Sequence, residues 1–433
     1  MTKGKRVNKD GLSRRSALAG SLLVMASAAC GKIGAPDTFD HGRDVRDFGA
    51  IGDGVADDTA AFQRAIDEAG RAGGGVVAFG PGTYLLRYRP AEDGDGLSAL
   101  TMRSGVTLEG SDRERCVLKL ADGQIGPGTY ARTITSRGEI SRAKLHRFSI
   151  DGNRAGQGSQ RDDINGGAVL LGWKGRCLDV VVEDLHVRNA IGQGIMLLGT
   201  IGTLSRNLRI VGNRVERSSF IGIQCSQFDG VTIQDNAVSD CRDNGIDVYG
   251  DDTNGHSPIA TSHNARIAGN DIQRCSVGVF LETVADSVAL NNNIVNCTSA
   301  GVRVNRIHGE PRNLTIADNR ITDTPTGVAM GGDTGGVIIR GNDVRGFTTA
   351  GIEFGYNVSR VTATDNRFVP ATRSTPIVLG TPTVLGSKPE EMLSFIRISN
   401  NRIPAGHNSA RLFVNRYRRL NGVDIGQFVK ALN

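Results

Sequence analysis

From about residue 180 onward, two short patterns of apolar and polar positions alternate along the chain. The first is an aliphatic residue, two variable positions, Asn, one variable position and a second aliphatic. Ile210-Val-Gly-Asn213-Arg-Val215 sets it, and it returns around Asn236, Asn270, Asn293, Asn319, Asn342 and Asn401, with Asn366 a looser fit. The spacings are 23, 34, 23, 26, 23, 24 and 35 residues. The second pattern is Gly followed by alternating apolar and variable positions. It begins at Gly194, Gly222, Gly245, Gly278, Gly301, Gly327 and Gly351, with an earlier copy at Gly167. Alternation within each pattern predicts strands with one face inward. A repeat near 23 residues with two strands per unit predicts a β-solenoid. Leucine-rich repeats would need a leucine consensus, and a propeller would need four strands per roughly 40 residues. The expected fold is therefore all-β: a right-handed single-stranded parallel β-helix over residues 43–405.

Rungs of such a helix stack about 4.8 Å apart, with equivalent residues above one another. The asparagines should form an internal ladder at a turn. Cys241, Cys275 and Cys297 precede their glycines by three or four residues and should stack inside as thiols. Ahead of the repeats, Asp57 or Asp58 caps a helix over Thr59–Ala69 whose apolar residues share one face. That helix closes the open end of the solenoid, as solenoids require.

Glycine is abundant, 58 of 433 residues, and aromatics are scarce at 5%, which suits many similar tight turns. The formal charge of +6 belongs to the N-terminus. Residues 1–29 hold Lys3, Lys5, Arg6, Lys9, Arg14 and Arg15 against Asp10, leaving the rest near +1. A nucleic-acid partner is not expected, because the body has no charge excess to release counterions. The apolar run from Leu18 to Ala29 is too short to span a bilayer. It reads as an export signal over residues 1–29, and Ser13-Arg14-Arg15 matches a twin-arginine type. Cys30 would then be a lipidated first residue, attaching residues 30–42 as a tether to a membrane, the alternative being cleavage after Ala26-Ser-Ala28 without a lipid. The expected location is the periplasm, the outer membrane or the exterior.

Asp44-Val-Arg-Asp47-Phe48-Gly49, Asp53-Gly54, Asp57-Asp58-Thr59 and Pro81-Gly82-Thr83-Tyr84 together resemble the N-terminus of the pectate-lyase-3-like superfamily of β-helix proteins. The resemblance implies the pectin-lyase-like fold and work on extracellular polysaccharides. Asp53, Asp57 and Asp58 themselves read as turn and cap residues. Ile150-Asp151-Gly152-Asn153-Arg154 is similar to the catalytic modules of mannuronan C5-epimerases. That family carries an Asp-Pro-His strand, and the matching segment here is Ile195-Met196-Leu197-Leu198. Met196 and Leu198 replace the acid and the histidine, so those roles do not carry over.

The repeat itself indicates a site. The second and fourth residues after each Gly point outward. The second positions are Met196, Gln224, Asp247, Phe280, Arg303, Ala329 and Glu353; the fourth are Leu198, Ser226, Tyr249, Glu282, Asn305, Gly331 and Gly355. Polar groups concentrate on consecutive rungs, and the lengthened loops 250–264 and 306–312 leave beside them. The expected catalytic residues are Asp247, Glu282, Tyr249 and Arg303. Gln224, Asn305, Arg306, Asp251, Glu353 and Tyr356 are expected to bind substrate, with loop residues Asp252, His256 and His308 nearby. The backbones of Asp247 and Glu282 should lie about 8 Å apart. That spacing serves either glycosidase geometry. In a lyase, Arg303 and Asn305 would neutralise a uronate and Tyr249 would move the proton. A C5-epimerase with a shifted site and a non-catalytic exopolysaccharide-binding protein are the alternatives. As outward surface residues, Asp247 and Glu282 should change stability by only about 0.5 kcal/mol when replaced.

No cofactor is indicated; a Ca2+ ion is compatible with the chain but nothing calls for one. His256 and His263 with Asp251 and Asp252 read as solvated loop residues before metal ligands. Trp173, the single Trp, reads equally as a sugar platform or a packing residue. Residues 406–433, rich in Arg411, Arg416, Arg418 and Arg419, lack the repeat, and Leu420 to Leu432 is expected to form a helical cap.

Overall fold

A computed structural model describes residues 42–431 except 93, 127–129, 158–165, 201, 251–261, 306–310, 372–373, 381–392, 405–412, 416–419 and 427–428. Each turn of chain lays down three strands rather than two, because the Asn motif bends at its left-handed residue and contributes a strand on either side. A typical rung runs Ser205–Val211, Arg214–Glu216 and Ile223–Ser226. Equivalent strands of successive rungs pair in parallel, as in Ile210↔Ile233↔Ile267↔Ala289↔Ile316. Three sheets result, with 17, 14 and 13 described strands. Their inward residues make one continuous core from Val45 to Ile403.

Asparagines sit inside the turn between the first and second strands. Asn213, Asn236, Asn270, Asn292, Asn319, Asn342, Asn366 and Asn401 form the ladder, each side-chain oxygen accepting from the rung before. The member between Asn270 and Asn319 is thus Asn292, not Asn293, and Asn366 is a full member. The physical reason lies one residue earlier. Gly212, Asp235, Gly269, Asn291, Asp318, Gly341, Asp365 and Asn400 all take positive φ there, a conformation that favours Gly, Asn and Asp. In Asn291-Asn292-Asn293 the first makes the left-handed turn, the second joins the ladder and the third starts a strand.

The glycine column has an equally local cause. A Cβ at Gly222, Gly245, Gly278, Gly301 or Gly327 would meet the γ-carbon of Val238, Ile272, Ile294, Ile321 or Val344 at 2.4–2.5 Å. The second and third strands approach so closely at this corner that only hydrogen fits.

The helix Thr59–Arg71 buries Ala61, Phe62, Ala65, Ile66 and Ala69. Phe62 meets Phe79 and Tyr84 edge-on, each with centroids 5.1 Å away. Asp57 Oδ1 accepts from the Thr59 amide, while Asp58 accepts from the Ile51 and Gly52 amides. Asp53 accepts from the Val55 and Ala56 amides. All three acids are therefore turn and cap residues.

The far end differs from expectation. Leu420–Asn421, Asp424–Ile425 and Val429–Ala431 are strands paired with Leu393–Ser399 and Arg402–Pro404, not a helix. The rungs continue past residue 405 because Leu420 and Ile425 still pair in register with Leu393 and Ile398. No described helix is long and apolar enough to cross a membrane.

The six described cysteines are buried and unbridged. Contact with the Cys241 sulfur, then burial, pushes the Cys275 thiol upward. Burial pushes Cys297 up to about 11 and Cys177 up to about 12. Such thiols are poor nucleophiles. The contact with Cys275 instead lowers the Cys241 thiol against its burial, and there it is burial, at 2% exposed, that shuts reagents out. Native protein should therefore leave Cys241, Cys275 and Cys297 unmodified by an aromatic disulfide reagent, all reacting once guanidinium unfolds the chain. Rapid labelling of any of them in native protein would show that the stack is open.

Candidate functional site

The outer face of the glycine strands carries the polar residues in columns. Gln224, Asp247, Phe280, Arg303, Ala329 and Glu353 are stacked in register. Ser226, Tyr249, Glu282 and Asn305 form the column beside it. Asp247 and Glu282 are therefore diagonal neighbours on adjacent rungs, as the repeat predicts.

A third column escapes the sequence reading. Backbone bonds stack Phe220, Asp243, Ser276 and Ser299 on the turns that lead into these strands. Its signal lies two residues ahead of each Gly, outside the stretch that alternates. Two of these residues touch the expected site. Arg303 donates to Ser299 Oγ at 2.7 Å and lies 5.9 Å from the Phe280 ring centroid. Burial raises the Asp243 carboxyl from its ordinary value, with the charges of Arg303 and Arg242 opposing.

Asp247 corrects one expectation. Its direction is outward, yet it is only 3% exposed. Phe280 occupies the next position of its own column. Its Oδ2 accepts from Asn244 Nδ2 at 3.0 Å, while its Oδ1 meets no hydrogen-bond partner among the described residues. Burial pushes its carboxyl well above the ordinary value, and the charges of Glu282 and Asp243 push the same way against the Asn244 bond. It is not an ordinary surface site, so a stability change near 0.5 kcal/mol does not apply to it.

The other expected residues are distributed unevenly. Glu282, Tyr249, Arg303 and Asn305 line the same face, each half-buried. Gln224 accepts from Gln193 Nε2 at 3.3 Å on the rung before. Glu353 sits two rungs beyond Arg303, with Thr326 Oγ1 3.4 Å from its Oε2. Tyr356 follows it on the turn beyond. Cys30, Asp251, Asp252, His256, Arg306 and His308 lie outside the described residues, as does most of both long loops. His263 faces Asp286, 3.5 Å away. Among the described residues no His, Cys, Asp and Glu cluster could hold a metal ion. Trp173 donates to Asp95 at 3.0 Å and its ring lies against Arg132, 4.2 Å from the guanidinium carbon, which ties it into packing.

Residues 42–145 match a family described as rhamnogalacturonase A/epimerase, pectate lyase-like, and residues 258–378 match the right-handed β-helix region. The chain is a right-handed β-helix protein of the pectate-lyase-like superfamily. A 151-residue stretch is 39% identical to mannuronan C5-epimerase AlgE6 of Azotobacter vinelandii, covering 35% of this chain and 17% of that protein. A 144-residue stretch is 35% identical to alginate lyase 7 of the same organism, covering 33% and 16%. The chain spans 8–26% of the length of the epimerases it matches. The solved A-module of AlgE6 superposes with a TM-score of 0.66 at 21% identity, covering 90% of this chain and all of that one. At that identity the likeness concerns the fold.

In this β-helix protein the strand Gln193–Leu198 is apolar outside as well as inside. Met196 and Leu198 cluster with Leu170 against Trp173. Asp247, Glu282 and Arg303 stand two to four rungs further along.

Proposed function

We propose that this β-helix protein is an exported polysaccharide-active enzyme that hydrolyses glycosidic bonds, with Asp247 as general acid and Glu282 as its partner carboxylate. The observation that carries the reading is the unlike setting of two neighbouring carboxyls. One is buried and raised, with one oxygen unpartnered among the described residues; the other is only half-buried, on the next rung. A buried, raised carboxyl beside a more accessible one suits a division into acid and base roles. Asn244 fixes Asp247 through one oxygen, leaving the other to protonate a leaving glycosidic oxygen once substrate parts the side chains above it. Glu282 then acts on the sugar or on a water. Arg303, held by Ser299, places one positive charge beside these acids.

A lyase is the second reading, favoured by the likeness to an alginate lyase over a third of the chain. There Tyr249, in register with Glu282, would move the proton and Arg303 would face the uronate carboxylate. Export through the twin-arginine-like segment and lipidation at Cys30 complete the proposal. Reducing-end release measured beside the ultraviolet absorbance of unsaturated uronates, over neutral and acidic glycans, decides between the two. Reducing ends without absorbance support hydrolysis. Absorbance gained with each cut supports the lyase. Altered sugar signals in NMR without cleavage would indicate an epimerase.

A further inference from the structure

Beyond Asn305 the outer column turns to glycine, and what lies on that glycine is specific. A Cβ added at Gly332 would collide with the Tyr356 ring, at its Cζ, Cε2 and hydroxyl. A Cβ added at Gly331 would collide with Asn305 Oδ1. The two glycines thus form a shelf on which an aromatic ring and an amide are laid from opposite sides. The turn that carries the ring is pinned: the Asp333 amide donates to the Tyr356 carbonyl at 3.2 Å, and Asn357 Nδ2 donates to Asp333 Oδ1 at 2.9 Å. Glu353, next to Thr326, borders the shelf from the column of Arg303 and Ala329. Asn305 is in register with Glu282, so the shelf continues the face that holds the proposed acid pair.

We propose that Tyr356, Asn305 and Glu353 form a subsite for an uncharged pyranose of the polysaccharide chain, an assignment that rests on the reading of this face as the substrate groove. A half-buried ring lying on backbone offers an apolar plane, and flanking amide and carboxylate groups suit sugar hydroxyls. Glu353 makes the subsite unfavourable for a uronate, because like charges at contact distance repel. The rung spacing of about 4.8 Å is close to the length of one pyranose unit, so a chain running along the helix axis meets successive rungs with successive sugars.

The test uses the full chain carrying Asp247→Asn, so that binding is read without cleavage. Affinity electrophoresis through gels containing laminarin, xyloglucan or alginate supplies the readout. A neutral glycan should retard the protein more strongly than alginate. Tyr356→Ala should weaken that retention about tenfold, the order expected for losing an aromatic contact. Gly332→Ala should weaken it similarly by lifting the ring, while Tyr356→Phe keeps most of it. Circular dichroism identifies any variant that has lost its fold. Retention by none of the glycans, stronger retention by alginate, or equal retention of folded Tyr356→Ala overturns the subsite. The acid pair is tested separately: if Asp247→Asn still cleaves its substrate, the proposed mechanism falls while a Tyr356-dependent retention stands.

Discussion

Asp247→Asn and Glu282→Gln should each lower turnover by about 10²–10⁴-fold, the usual share of a positioned acid or base. The two should differ in stability. Because burial raises the Asp247 carboxyl in the folded chain, the folded state holds that proton more tightly than the unfolded state does. Its contribution to stability is therefore full below the ordinary carboxylate value near pH 4 and is lost as pH rises through the folded value. Asn cannot ionise and escapes this loss. The stability of Asp247→Asn relative to the parent should consequently rise between pH 5 and pH 8. The gain is about 1.4 kcal/mol for every pH unit over which the folded parent keeps a proton that the unfolded chain has lost. Glu282→Gln, on the next rung, is the comparison. Calorimetry at both pH values, with turnover on the same samples, separates the cases. Full activity in both variants would move the chemistry elsewhere. A difference in melting temperature that does not change with pH would mean that Asp247 is not held protonated.

The repeat made the fold legible because its causes are local. A left-handed residue must precede each ladder Asn, and a side chain cannot fit where the strands converge at Gly245 or Gly278; both constraints recur on every rung. The site was legible only in part. Parity placed Asp247, Glu282 and Arg303 on one face, since side chains alternate along a strand. It could not show that Asp247 is buried there, because burial of an outward residue depends on the heights of neighbouring columns. It also passed over Asp243, Asn244 and Ser299, which sit on the turn where alternation stops. The end of the fold was misjudged for a related reason. The last rungs keep the pairing of Leu420 and Ile425 but lack the ladder Asn and the Gly that leads each third strand, so the sequence pattern suggests a cap where strands continue.

The largest effect on stability should come from Asn270→Ala, in the middle of the ladder. Asn270 Oδ1 accepts from the backbone amide and the side chain of Asn236, and its Nδ2 donates to the Ile233 carbonyl and to Asn292 Oδ1. Alanine would strand the Asn236 amide, one Asn236 side-chain proton and the Ile233 carbonyl in a region only 1% exposed at either asparagine. Each unsatisfied buried group costs about 1–3 kcal/mol, so a loss on the order of 3–5 kcal/mol is expected after local relaxation. Asn213 offers an internal comparison. Its oxygen accepts from the Leu185 amide alone, so Asn213→Ala removes fewer bonds and should cost less. The measurement is urea unfolding followed by circular dichroism on both variants. Solenoids couple mainly through nearest neighbours, so a central break should also broaden the transition by dividing the array. Equal, small losses at both positions would mean that water replaces the ladder bonds at little cost, and that the core rather than the asparagines holds the rungs in register.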